Sequence, residues 1–171
     1  MHHPPSSVRR LPGFTLIELI VVVAIIAIIA ATVFVALDPG KRLHVSRNSR
    51  RWADVTTIAK AVKLYEADNA IAPALINNTG ATVQMLGTGV TCPPTACTGV
   101  SFPATNCTIN IATTLRAYLK SIPLDPTTGT AANTRYYVNM SGSVLTVGSC
   151  DSENEGPGGT GGSTPTIRVS Q

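Results

Sequence analysis

Histidine is scarce in this 171-residue chain: His2, His3 and His44 are all it has. Without the extreme N-terminus only His44 remains, and it sits among arginines. A Ser-His-Asp or Cys-His arrangement would have to be built on that one imidazole, and a metal site with several His ligands is excluded. Charge is also sparse, at 13% of residues, which excludes a disordered polyelectrolyte. Aromatic residues make up 5%, and isolated ones such as Trp52 and Tyr65 read as core rather than as ligand platforms. The surplus of 13 Lys+Arg over 9 Asp+Glu leaves a net charge of +4, too slight to imply nucleic acid. These shortages argue against an enzyme, and no cofactor is expected.

Apolar residues are plentiful but unevenly placed. From Phe14 to Leu37 every residue is apolar except Thr15, Glu18 and Thr32. As a helix rising about 1.5 Å per residue, Leu19 to Leu37 reaches roughly 28 Å, close to a bilayer core of about 30 Å. A helix apolar on all faces is not the surface helix of a soluble domain. The preceding residues, with Arg9 and Arg10, look like the basic region of a signal peptide, yet no small-residue cleavage site follows the run.

A different junction is present. Gly13-Phe14-Thr15-Leu16-Ile17-Glu18 joins the basic leader to the apolar run. Here the sequence resembles the type IV prepilins and the related type II secretion pseudopilins. The resemblance implies cleavage by a prepilin peptidase after Gly13 and methylation of the new N-terminus at Phe14. It implies a leader over 1–13, a transmembrane and assembly helix over 14–38, and an extracytoplasmic pilin-like domain over 39–171. Glu18 has two readings. At the interface it costs little. In a bundle of parallel helices it pairs with the Phe14 amine of a neighbouring subunit and sets the axial register, as a buried polar group does in a coiled coil. The motif favours the second. Counted by charge alone, two Arg before the run and Lys41, Arg42, Arg47, Arg50 and Arg51 after it place the C-terminal part in the cytoplasm. The resemblance places it outside, and its Thr, Gly, Asn, Pro and Cys content agrees with that.

Asp38-Pro39-Gly40 predicts a kink, with helix resuming near Lys41. Val45, Trp52, Val55, Ile58, Ala59, Val62 and Tyr65 then recur at helical spacing as one apolar face, ending near Asp68-Asn69. Residues 71–108 read as a long connection with a short strand near Val83–Leu86. Ile109 to Ser121 reads as a short amphipathic helix stopped by Ile122-Pro123-Leu124-Asp125-Pro126, a pattern that also resembles pilins. Three strands, Arg135–Met140, Ser143–Ser149 and Thr166–Ser170, suggest an antiparallel meander. The expected fold is α+β: a long N-terminal helix, half membrane anchor and half spine, on a small antiparallel sheet.

Cys92, Cys97, Cys107 and Cys150 form an even set. In a domain outside the cytoplasm they predict two disulfides, with three connectivities open; free thiols and a metal site are the weaker readings. Asp151, Glu153 and Glu155 alternate before a glycine, as at the opening of a calcium loop, but without EF-hand context a solvated acidic turn is the plainer reading. The basic residues at 41–51 offer phosphate contacts to lipid headgroups or DNA, against a solvated helix face that meets acidic groups. The resemblance implies a structural subunit that polymerises with itself into a surface filament. Its other partners would be the peptidase, the assembly platform and, before assembly, inner-membrane lipid. A pseudopilin of a secretion or DNA-uptake machine is the alternative within the family, and a membrane-anchored periplasmic binding module the alternative outside it.

Overall fold

The computed structural model describes residues 13–74, 76, 82–89, 91, 92, 97 and 99–171. Residues 1–12 of the expected leader therefore lie outside the described residues. The chain divides into one unit ending at Pro39 and a second unit, Gly40–Gln171.

The first unit holds helix α1, Leu16–Leu37, in which no residue is buried. Thr15 caps it: its backbone is extended and its side chain accepts from the Glu18 amide at 3.3 Å. Thr32 donates its hydroxyl to the Ile29 carbonyl at 2.8 Å, so the polar group inside the apolar run is satisfied within the helix. Asp38 ends α1 in the left-handed region (φ 42°, ψ 71°). The reason is local: a following proline disfavours the right-handed helical conformation.

Helix α2, Pro39–Asn69, restarts at once rather than near Lys41. Proline suits a first helical turn, where its missing N–H would have had no partner. The helical run as a whole covers Leu16–Asn69, 54 residues. In the second unit Val55, Ile58, Ala59, Ala61 and Val62 of α2 are buried against a five-stranded sheet. Its strands are β1 (Gln84–Leu86), β2 (Thr108–Ile109), β3 (Tyr136–Ser141), β4 (Val144–Ser149) and β5 (Arg168–Ser170), in the order β2-β1-β3-β4-β5. The meander β3-β4-β5 is antiparallel as expected, and β1 pairs antiparallel with β3. The parallel β2 alongside β1 was not foreseen and makes the sheet mixed. A two-residue strand leaves no alternation to read.

Strand alternation separates two faces. Tyr136, Val138 and Met140 join Leu145 and Val147 in the core under α2. Tyr137 packs on the opposite face with Val83 and Cys97, flanked by Val100, Phe102 and Cys150. Gly148 is cross-strand from Tyr137, and a Cβ there would collide with the Tyr137 ring.

Two expectations need correction. Ile109–Ser121 is not an α-helix: Ile109 is taken into β2, and residues 112–118 form consecutive turns. Leu115 and Leu119 donate to the carbonyls four residues earlier, while Arg116 and Tyr118 reach only three back. The Asn110 side chain, accepting from the Ala112 amide at 3.0 Å, closes the start of the segment into a turn. Ile111 and Leu115 are still fully buried, so the apolar positions were read correctly and the backbone was not. On α2, Val45 and Trp52 are 37% and 40% exposed, while Asn48 and Arg51 are buried. The inward stripe is Asn48, Arg51, Val55, Ile58 and Val62, and its first two members are polar.

Candidate functional site

Two regions carry the residues singled out from sequence. The first is the start of α1. Gly13 has open space where a side chain would begin, and Phe14 is 88% exposed. Thr15-Leu16-Ile17-Glu18 starts the helix as an N-cap followed three residues later by an acid, a pattern that suits the unpaired amides and positive end of the helix dipole. Beyond it, the large apolar side chains of α1 lie exposed around the whole circumference. At about 1.5 Å per residue, the 22 residues of α1 span roughly 33 Å, so the helix is long and apolar enough to cross a membrane.

The second region is the loop after β4, laid on the N-terminal half of α2. Arg51 is its centre, with no exposed side-chain surface. Its Nε donates to Asp125 Oδ2 at 2.6 Å and its Nη2 to Asp125 Oδ1 at 3.1 Å, a two-pronged pair. Nη1 donates to Glu153 Oε2 at 2.7 Å and to Asn48 Oδ1 at 3.0 Å, and Nη2 also donates to Thr127 Oγ1 at 3.0 Å. Arg47 donates to the other Glu153 oxygen at 2.9 Å. Asn48 donates to the Glu153 carbonyl at 2.7 Å and to Glu155 Oε1 at 2.9 Å, and accepts from the Glu153 amide at 3.0 Å. The His44 ring meets the Asn154 carbonyl at 2.8 Å. Glycines allow this close approach. A Cβ on Gly40 would lie 2.6 Å from the Gly158 carbonyl oxygen, and one on Gly159 (φ +73°) would lie 2.8 Å from His44 Cε1.

The electrostatics follow from this packing. Burial acts against the Asp125 carboxylate. The Arg51 guanidinium and the Thr127 amide and hydroxyl outweigh it and hold the pKa at about 2. Burial likewise opposes charge on Glu153, and Arg51 with Arg47 brings its pKa below the usual carboxylate value. Burial acts against the Arg51 cation, which Asp125 and Glu153 overcome, raising its pKa.

The acids read as a calcium-loop opening are thus divided among different partners. Asp151 pairs with Arg135, Glu153 with Arg47 and Arg51, and Glu155 with Asn48. Among the described residues no group of three or more His, Cys, Asp or Glu side chains is placed to hold a metal ion. The basic residues do not form one phosphate-facing patch either: Arg47 and Arg51 are committed to carboxylates of the same chain. Sequence reading missed the Arg51–Asp125 pair. Its signal was the spacing of Asn48 and Arg51, which extends the Val55, Ile58, Val62 stripe at steps of three and four.

The cysteines join as Cys92–Cys107 and Cys97–Cys150, with Cα separations of 5.7 and 4.7 Å, inside the usual span for a disulfide. The second bridge ties the long connection to the end of β4, beneath Tyr137.

Residues 10–34 match the family described as the prokaryotic N-terminal methylation motif. The chain carries a prepilin-type methylation motif. The motif is that of the type IV pilins and pseudopilins, and together with the helix-on-sheet fold it supports membership of that superfamily. The superfamily is a structural, non-catalytic class. No match was found among curated proteins or among solved structures.

Proposed function

We propose that the protein is a filament subunit of the type IV pilus kind. It is made as a single-pass membrane precursor, with residues 1–13 as leader, 14–38 as anchor and 39–171 outside the cytoplasm. A prepilin peptidase hydrolyses the Gly13–Phe14 peptide bond, and the new Phe14 amine is methylated. The observation that carries the reading is α1 itself, apolar on all sides with no side chain buried. Such a surface needs lipid around it before assembly and sister helices after it.

Cleavage creates a cation at Phe14, four residues before Glu18. In a parallel bundle the Glu18 carboxylate of one subunit meets the Phe14 amine of the next in a low-dielectric setting, where opposite charges attract strongly. The pair specifies axial register. An outward placement of the second unit fits the motif and the two disulfides. Domains longer than about 60 residues cross largely regardless of charge, which answers the count of basic residues at 41–51.

The test is mass spectrometry of the mature N-terminus combined with electron microscopy of sheared surface material. A methylated Phe14 terminus in filaments is the expected result, and filament length separates a pilus from a short pseudopilus. An uncut chain that stays monomeric in detergent refutes polymerisation and favours an anchored binding module.

A further inference from the structure

Arg50 takes no part in the loop network. It lines a groove of about 560 Å³ bounded by α2, the end of β1, the turns after β2 and the 120–134 stretch, within the roughly 300–1,000 Å³ of small-molecule sites. Lys120 is the second charged residue of the groove among the described residues, and no acidic side chain among them lines it. Arg50 forms a long ion pair with Asp54, whose Oδ2 is 3.9 Å from its Nε and also accepts from the Tyr136 hydroxyl at 2.8 Å. Lys120 makes no hydrogen bond or ion pair among the described residues.

Each acid of Gly40–Gln171 already has a partner. Asp54, Asp68 and Glu155 accept from Tyr136, Tyr118 and Asn48, respectively. Glu66, Asp125, Asp151 and Glu153 pair with Lys63 or arginine. None of these carboxylates lines the groove. Neutral donors line the same groove. The Asn110 side-chain oxygen is engaged by the Ala112 amide, which leaves its NH2 group to donate, and the exposed Ser121 supplies a hydroxyl. Ile122, Pro123 and Leu124 add an apolar wall, with Leu124 40% exposed.

We propose that this groove binds an organic phosphate monoester. Two cations and neighbouring donors match a dianion with three acceptor oxygens, and the apolar wall takes the body of the ester. The inference does not depend on filament assembly.

The test uses the full chain in phosphatidylcholine nanodiscs, titrated with phenyl phosphate by calorimetry. Saturable binding is expected, with inorganic phosphate weaker for want of the ring, benzyl alcohol silent, and affinity falling as salt is raised. Lys120→Gln should weaken phenyl phosphate by about tenfold, and adding Arg50→Gln should abolish it. Both side chains are exposed, so unchanged circular dichroism verifies that the variants fold. Phenyl phosphate that binds no better than benzyl alcohol, or equally well to Lys120→Gln, overturns the proposal. Nanodiscs containing phosphatidic acid identify the source of the monoester. A loss of phenyl phosphate affinity assigns the groove to a lipid headgroup, and an unchanged affinity assigns it to a free ester.

Discussion

Replacing Arg51 by Ala should be among the most damaging single changes in the outer unit. Both Arg51 and Asp125 are without exposed side-chain surface, so the substitution removes five hydrogen bonds of the guanidinium and leaves a carboxylate buried without its cation. Breaking a buried pair in this way costs about 3–5 kcal/mol. Asp125 keeps its bonds from the Thr127 amide at 2.9 Å and hydroxyl at 2.7 Å, which places the expected loss toward the lower end. Asp125→Asn should cost less than Arg51→Ala, because Arg51 retains Glu153 on its other edge. A double-mutant cycle of the two should return a coupling of about 0.5–3 kcal/mol. The pair also predicts acid sensitivity. The folded-state pKa of Asp125 lies below its unfolded value of 3.8, at about 2. Its contribution is therefore complete above pH 4 and is lost as pH falls through 2, amounting to about 2–3 kcal/mol. Glu153, also lowered, adds to the same acid limb. Urea unfolding of the full chain in detergent, followed by fluorescence of Trp52, measures all of these. A loss under about 1 kcal/mol in Arg51→Ala, or wild-type stability that stays flat from pH 5 to pH 2, would refute the buried-pair reasoning.

Other expectations follow from the N-terminal motif and the bridges. A bulky residue at Gly13 should leave the precursor uncut in the membrane, detected as an intact leader by mass spectrometry; normal processing would remove the assigned junction. Glu18→Ala should be cleaved and inserted yet assemble poorly, and filaments of normal yield and length would contradict the register role. Opening Cys97–Cys150, which closes 53 residues, should cost about 4 kcal/mol in the chain-entropy model, against about 3 for the 15-residue span of Cys92–Cys107. Denaturation of the two Ser-pair variants checks the order, and non-reducing peptide mapping checks the pairing.

Local chemistry made much of this protein legible from its sequence. An apolar run next to Gly13-Phe14 and Glu18, a proline after Asp38, and alternating strands after Arg135 each depend on neighbours within a few residues. Helix extent, the break and the antiparallel meander followed from them. Tertiary structure decided what depended on distant partners. Whether Ile109 opens a helix or closes a strand depends on β2 pairing with β1 across more than twenty residues, an interaction with no local signature. Arg51 reads as one of five exposed basic residues until Asp125, 74 positions away, and Glu153 are brought to it; only then is burying its charge affordable. Asp151, Glu153 and Glu155 read as a possible ion cradle because sequence shows their spacing and not their partners. Spacing sets which side chains share a face, but a charged side chain takes its role from the opposite charge the fold delivers to it.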